Sequence, residues 1–200
     1  MEVHAALRKA VGPGYPLMSD PVGEYTLGDA VRVARQLERL GYEWFEEPFR
    51  DFELYKYTDL CRTVDIPIAA TETTRGCHWG VAQSIAQRAA DIVRADVSWK
   101  NGVTGTLKIA HMADGFGLNC EVHTTTMNYM DLANVHVSCA IRNCKYFEYF
   151  VPEDQYRLPM KGDLPIRDGY IYAPDKPGIG AELDWELIGE SCHSYRCQTL

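Results

Sequence analysis

The sequence predicts an α/β fold, part of a parallel (β/α) TIM-like barrel with about six β/α units in 200 residues. Three observations carry this prediction. Short apolar runs alternate with amphipathic stretches about six times, the links between them are short, and no hairpin signal interrupts them. Strands joined through helices in this way form right-handed crossovers and a parallel sheet.

The first run, Pro16-Leu17-Met18-Ser19-Asp20, is short and ends in an acid. The clearest helix follows. Thr26 can cap it with Asp29 in its first turn, Leu27, Ala30, Val31, Ala34, Leu37 and Leu40 recur at helical spacing, and Gly41 stops it. The next run, 42–48, is rich in strand formers and again acidic at its end. Helical stretches at 51–63, 80–90, 103–116 and 129–142 then lead to strands at 66–72, 91–97, 118–123 and 145–150. Beyond Val151 the chain is rich in Pro and Gly and is expected to be an irregular tail packed along the domain.

With 46% hydrophobic residues the chain can bury a core as one domain. Asp and Glu number 28 against 20 Lys and Arg, and no basic run stands out. This argues against a nucleic-acid partner and fits a protein that binds a cation or a small molecule. The seven cysteines are an odd number, and Cys61, Cys120 and Cys139 fall in apolar or helix-like stretches. Buried thiols in a reducing compartment are expected, not a disulfide framework. Cys192 and Cys197 flank His193 in the tail, but the spacing is looser than a zinc knuckle and no second pair accompanies it. No run reaches membrane-spanning length and the N-terminus lacks signal-peptide shape, so a cytoplasmic protein with no membrane partner is expected.

An ionisable residue stands at or near the C-terminal end of each strand: Asp20, Glu46, Glu72, Asp96, His123 and Glu148. In a parallel β/α barrel that edge is where the loops converge and active sites are built. Any one of the six could be an ordinary polar strand end, but the fold aims all of them at one mouth. The first three are carboxylates on adjacent strands, and like charges brought together make sense around a cation. All-oxygen ligands favour Mg²⁺ over zinc, with Mn²⁺ as the alternative. At the second position both Glu46 and Glu47 are available. They point to opposite faces of a strand, so one faces the mouth.

The runs LMSDP, WFEEPF, IAATE, DIVRADVSWKNGVTG and NCEVHTTT, in this order and spacing, resemble the enolase superfamily, in its mandelate racemase/muconate lactonizing enzyme branch. The similarity extends from about residue 6 to 187. It implies that residues 1–187 form an enolase-type C-terminal barrel domain, incomplete at its N-terminus because the capping domain and first strands are missing, with 188–200 a polar tail. It also implies that Glu46 is a metal ligand in preference to Glu47, alongside Asp20 and Glu72. Asp96 and His123 match the family's acid/base dyad, and Glu148 matches the acid that assists the substrate carboxylate. A homo-oligomer is expected of the full-length enzyme.

Several positions depart from the family pattern. No Lys-x-Lys strand motif occurs, and Lys100 lies past its strand end. The usual Asp-x-Asn is Asp20-Pro21-Val22, the Gly often found before the third ligand is Thr71, and the segment after Gly189 does not match. The chemistry implied is metal-dependent removal of a proton α to a carboxylate, foremost in the dehydration of a sugar acid. Racemisation, epimerisation or cycloisomerisation of a sugar acid or lactone uses the same enolate chemistry. The missing lysine strand keeps a third expectation open, an inactive truncated remnant. An aldolase is not expected, because Lys145 sits at a strand start and cannot serve as a strand-end Schiff base. His78, His111 and His136 lie in or beside helical stretches and are expected to be structural.

Overall fold

The computed structural model describes residues 2–124, 128–152, 160–162, 164–191 and 194. Five parallel strands, β1 (Met18–Ser19), β2 (Trp44–Glu46), β3 (Ile68–Ala70), β4 (Ile92–Ala95) and β5 (Asn119–Val122), lie side by side in chain order. The registers pair Ser19 with Phe45, Glu46 with Ala69, Ala70 with Val93 and Ala95 with Val122, so the C-terminal ends share one edge. Between them run α2 (Leu27–Arg39), α3 (Leu54–Thr63), α4 (Cys77–Ala86) and α5 (Gly102–Gly115), and α6 (Asn128–Ala140) follows β5. Of the about six β/α units expected, five strand–helix units are present. The chain thus has the parallel α/β architecture, and its described strands form an open sheet, not a closed barrel.

Side-chain alternation explains where the core and the site fall. Phe45, Ile68, Val93, Ala95, Cys120 and Val122 point outward and pack under the helices, with Ala30, Ala34, Leu37, Leu60, Val81 and Ile109. The opposite parity places Trp44, Glu46, Arg94 and Glu121 on the inner face, all buried. The inner layer is therefore charged, while the outer layer is aliphatic. The α2 boundaries follow their signals: Thr26 accepts from the Asp29 N–H at 3.2 Å, and Gly41 takes φ +66° where the chain turns into β2.

Several expectations need correction. The strand at 145–150 is a single parallel bridge, Val122 to Phe147. The Lys145 and Tyr146 N–H groups go to the Glu121 carboxylate, both at 2.9 Å, so they do not extend the ladder. The tail is not wholly irregular: β6 (Ile166–Arg167) and β7 (Tyr170–Ile171) form a hairpin turned by Asp168 and Gly169, both at positive φ. Helix α7 (Trp185–Ser191) is a further regular element of this region.

Helix α1 (Glu2–Val11) was not foreseen; it buries no residue and is tied down by polar contacts instead. Arg8 donates to the carbonyls of Gly12, Tyr15, Leu40 and Gly41 at 2.6–2.9 Å. Finally, of the three cysteines expected to be buried only Cys120 is; Cys61 is half-buried and Cys139 exposed.

Helix α4 also begins earlier than expected, so that Gly80 lies inside it. A Cβ there would meet the Arg75 carbonyl oxygen at 1.9 Å, which makes the glycine a packing requirement and not a break. The residues Cys192, His193 and Cys197 lie outside the described residues. No helix among the described residues is long and apolar enough to cross a membrane.

Candidate active site

All six predicted residues stand at the C-terminal edge of the sheet. Glu46 is the last residue of β2; Asp20, Asp96 and His123 follow directly on β1, β4 and β5. Glu72 is two residues beyond β3, and Glu148 one beyond the Phe147 bridge.

The best-defined pair is Asp96 with His123. His123 Nδ1 lies 2.8 Å from Asp96 Oδ2, and both residues are buried. The other carboxylate oxygen of Asp96 accepts the N–H groups of Ser98 and Trp99, at 2.6 and 2.9 Å. Burial alone would push the Asp96 carboxyl up; the His123 bond and these backbone donors hold it below its ordinary value. An ionised Asp96 fixes Nδ1 as the protonated nitrogen and leaves Nε2 as the reactive one. His123 Nε2 in turn lies 3.3 Å from Glu72 Oε1. Burial lowers the imidazole pKa, but the Asp96 bond and the charges of Glu72 and Glu148 outweigh it and leave a net upward shift.

The structure also assembles residues that sequence reasoning missed. The indole of Trp99 packs on the His123 ring at 5.1 Å between centroids. Asn134 accepts from the Val97 N–H at 3.0 Å and donates to the His123 carbonyl at 3.1 Å, stitching the two dyad loops together. Arg94, two residues before Asp96 and on the same strand face, lies 2.6 Å from Glu46, 2.7 Å from Glu148 and 4.0 Å from Glu72. A charged residue at inward parity in an otherwise apolar strand is the signal that could have identified it.

Glu47 departs from the mouth: its carboxylate receives the Thr73 N–H at 3.1 Å and the Thr73 hydroxyl at 2.6 Å. It therefore anchors the loop that carries Glu72. Lys100 is buried too, its ammonium donating to the Thr74 carbonyl at 2.5 Å, and burial holds its pKa below the ordinary lysine value.

The donor set suits a hard divalent cation. Burial, and next the negative charge of Glu46, push Asp20 up to about 6. Burial likewise raises Glu72. Glu46 Oε1 is buried without a hydrogen-bond donor, although the Arg94 Nε is close by, because that contact is out of line. Crowded, incompletely satisfied carboxylate oxygens of this kind are what a cation neutralises. Among the described residues no three His, Cys, Asp or Glu side chains already converge as a coordination shell. Glu46 is turned onto Arg94, and Glu72 onto His123.

Comparison with known proteins places the chain in a family. Residues 1–187 match the family model described as "Enolase C-terminal domain-like". The arabinonate dehydratase of Saccharolobus solfataricus is 31% identical over 97% of this chain and 51% of its own length. The D-galactarolactone cycloisomerase of Agrobacterium fabrum is 27% identical over 95% of this chain and 52% of its own. Among solved structures, the magnesium complex of D-glucarate dehydratase from Agrobacterium tumefaciens superimposes with a TM-score of 0.82 at 37% identity, over 94% of this chain and 50% of that one. A racemase from Streptomyces coelicolor with bound magnesium gives 0.84 at 26% identity, over 94% and 50%. The chain spans about half the length of the curated relatives it matches. It belongs to the enolase superfamily, through the C-terminal domain of the mandelate racemase/muconate lactonizing enzyme branch.

Proposed function

We propose that this chain carries the acid/base side of a Mg²⁺-dependent site that removes the proton α to a carboxylate, and that its reaction is dehydration of a sugar acid. Mn²⁺ is the alternative ion. The carrying observation is the Asp96–His123 contact of 2.8 Å, set beside the carboxylates at the strand ends. The dehydratases among its relatives, acting on arabinonate and on talarate or galactarate, support the substrate class.

Asp20, Glu46 and Glu72 are the residues to hold the ion. When bound, Mg²⁺ supplies Lewis-acid stabilisation of the negative charge that builds on the substrate carboxylate. The protein side chains do the rest. His123 takes the α proton at Nε2, and Asp96 keeps the imidazole in the tautomer that exposes it. The protonated His123 then hands a proton to the departing β-hydroxyl, which leaves as water. Glu148 orients the substrate carboxylate, and the exposed face of Trp99 walls the site next to the base. A racemase, epimerase or cycloisomerase is the second reading, favoured by the cycloisomerase relative and separable by the product formed.

The test is Mg²⁺-dependent thermal stabilisation, followed by α-proton exchange in D₂O over a panel of sugar acids. Exchange that disappears in His123→Asn while stabilisation by Mg²⁺ persists is the expected outcome. Mg²⁺ binding with no exchange by the parent chain would identify a non-catalytic remnant instead.

A further inference from the structure

Arg94 is assigned no part in the function proposed above, yet its guanidinium lies against three carboxylates of the inner layer. Its side chain is 5% exposed. The backbone around it is fixed, since its N–H donates to the Thr71 hydroxyl at 3.1 Å and its carbonyl accepts from the same hydroxyl at 2.8 Å. Thr71 directly precedes Glu72. The guanidinium then branches three ways. Nε faces Glu46 at 2.6 Å, Nη2 donates to Glu148 at 2.7 Å and stands 4.0 Å from Glu72, and Nη1 reaches the Glu121 carbonyl at 3.4 Å. Burial works against its charge, but the three carboxylates more than restore it, so it stays protonated. A planar fork can address carboxylates on opposite sides at once; a lysine ammonium, a single point charge, cannot hold the same spacing.

We propose that Arg94 is a positioning residue that holds Glu46 and Glu72 in fixed relation to Glu148, and that it is the resident counter-charge with which a divalent cation competes for Glu46 and Glu72. This rests on the reading of Glu46 and Glu72 as metal ligands and Glu148 as the partner of the substrate carboxylate. The guanidinium sets the spacing of Glu46 and Glu72, which would hold the ion, from Glu148, which would orient the substrate carboxylate.

The experiment compares the full chain with Arg94→Lys and Arg94→Gln, using Mg²⁺ alone in calorimetry and galactarate with Mg²⁺ in D₂O for exchange at carbon α. Arg94→Lys keeps the charge and loses the fork. It should bind Mg²⁺ within about threefold of the parent, yet lose about 10²-fold in kcat with KM little changed, as expected of misplacement on the scale of 1 Å. Arg94→Gln removes a cation from the ligands' side and should tighten Mg²⁺ by about tenfold, the effect of removing one nearby like charge.

A merely structural arginine would lower the melting temperature and leave kcat and Mg²⁺ affinity of the folded protein unchanged. Unchanged kcat in Arg94→Lys, or Mg²⁺ affinity in Arg94→Gln that is unchanged or weaker, overturns the proposal. If Arg94→Gln fails to fold, kcat of Arg94→Lys decides. If the parent shows no exchange, the proposed function fails separately and the Mg²⁺ arm alone decides the role of Arg94.

Discussion

Asp96 has two acceptor oxygens and divides them: one takes two backbone N–H groups of its own loop, the other faces His123. Its charge is thereby held in place before any substrate arrives. Asp96→Asn should lower the α-exchange rate by roughly 10²–10⁴-fold, the usual worth of a positioned acid/base group. The pH profile supplies a sharper check. His123 must be neutral to take a proton, so the rate rises with pH through its pKa, which stands above the ordinary histidine value. The Asp96 bond is the largest of the contributions that raise it, after burial has lowered it, so in Asp96→Asn the acid limb should move to lower pH. A limb that stays in place would mean another group titrates there.

The six strand-end positions were legible because ionisable residues repeat there in register with the folding units, while the pairing of Asp96 with His123 was implied by the family resemblance. Arg94 and Trp99 were not, since their meaning depends on which strand face and which loop they share. Thr71 shows the same limit. Its φ of +90° lies where glycine is favoured, and the two bonds between its hydroxyl and the Arg94 backbone offset the strain.

At the scale of elements, the links between units are held by single side chains that reach across to the next backbone. Glu38, near the end of α2, accepts the N–H groups of Asp65 and Ile66 at 2.7 and 3.2 Å and pairs with Arg35 at 3.1 Å. It fixes α2 against the turn that enters β3. Glu38→Gln should cost about 1–2 kcal/mol, the range for hydrogen bonds to a charged group, discounted at the half-open surface. Burial works against the Glu38 charge, but the two backbone bonds and Arg35 leave its folded pKa below 4.5. Its contribution is therefore fully present above about pH 4.5 and is lost as pH falls through the lowered folded value. Denaturant titrations of the two proteins should converge there, and a gap that persists at lower pH would locate the effect elsewhere.

Helix α2 was readable because cap, stripe and stop agree. Helix α1 was not, because its apolar residues Val3, Leu7 and Val11 stay exposed and Arg8 does the docking. The sixth strand was misread for a related reason: its sequence suits a strand, but Glu121 captures the N–H groups that a ladder requires.

For the whole molecule, the decisive feature is an open parallel sheet whose inner face carries charge. The described ladder runs from β1 to the Phe147 bridge, and among the described residues side chains join the two ends of the inner layer. Trp44 of β2 packs on Tyr146 at 5.7 Å between ring centroids, and Lys145 reaches Glu43 at 3.5 Å. These contacts fill the floor beneath Glu46 and Arg94 but leave the β1 edge without a strand partner among the described residues. An unpaired edge costs hydrogen bonds, and a half-enclosed mouth leaves the charged groups more exposed to water than a closed barrel does. Proton removal from carbon α also gains from a second acid/base group opposite His123, and no Lys-x-Lys strand supplies one here. Joining to this chain, on the β1 side, a family barrel segment with two further strands and the lysine motif should therefore raise α-exchange by orders of magnitude. Two controls apportion the gain. The same fusion with its lysines changed to methionine should recover the melting temperature and Mg²⁺ binding but little of the rate, which would assign the increase to acid/base chemistry. Equal exchange by the unfused chain would show that the Asp96–His123 side suffices alone.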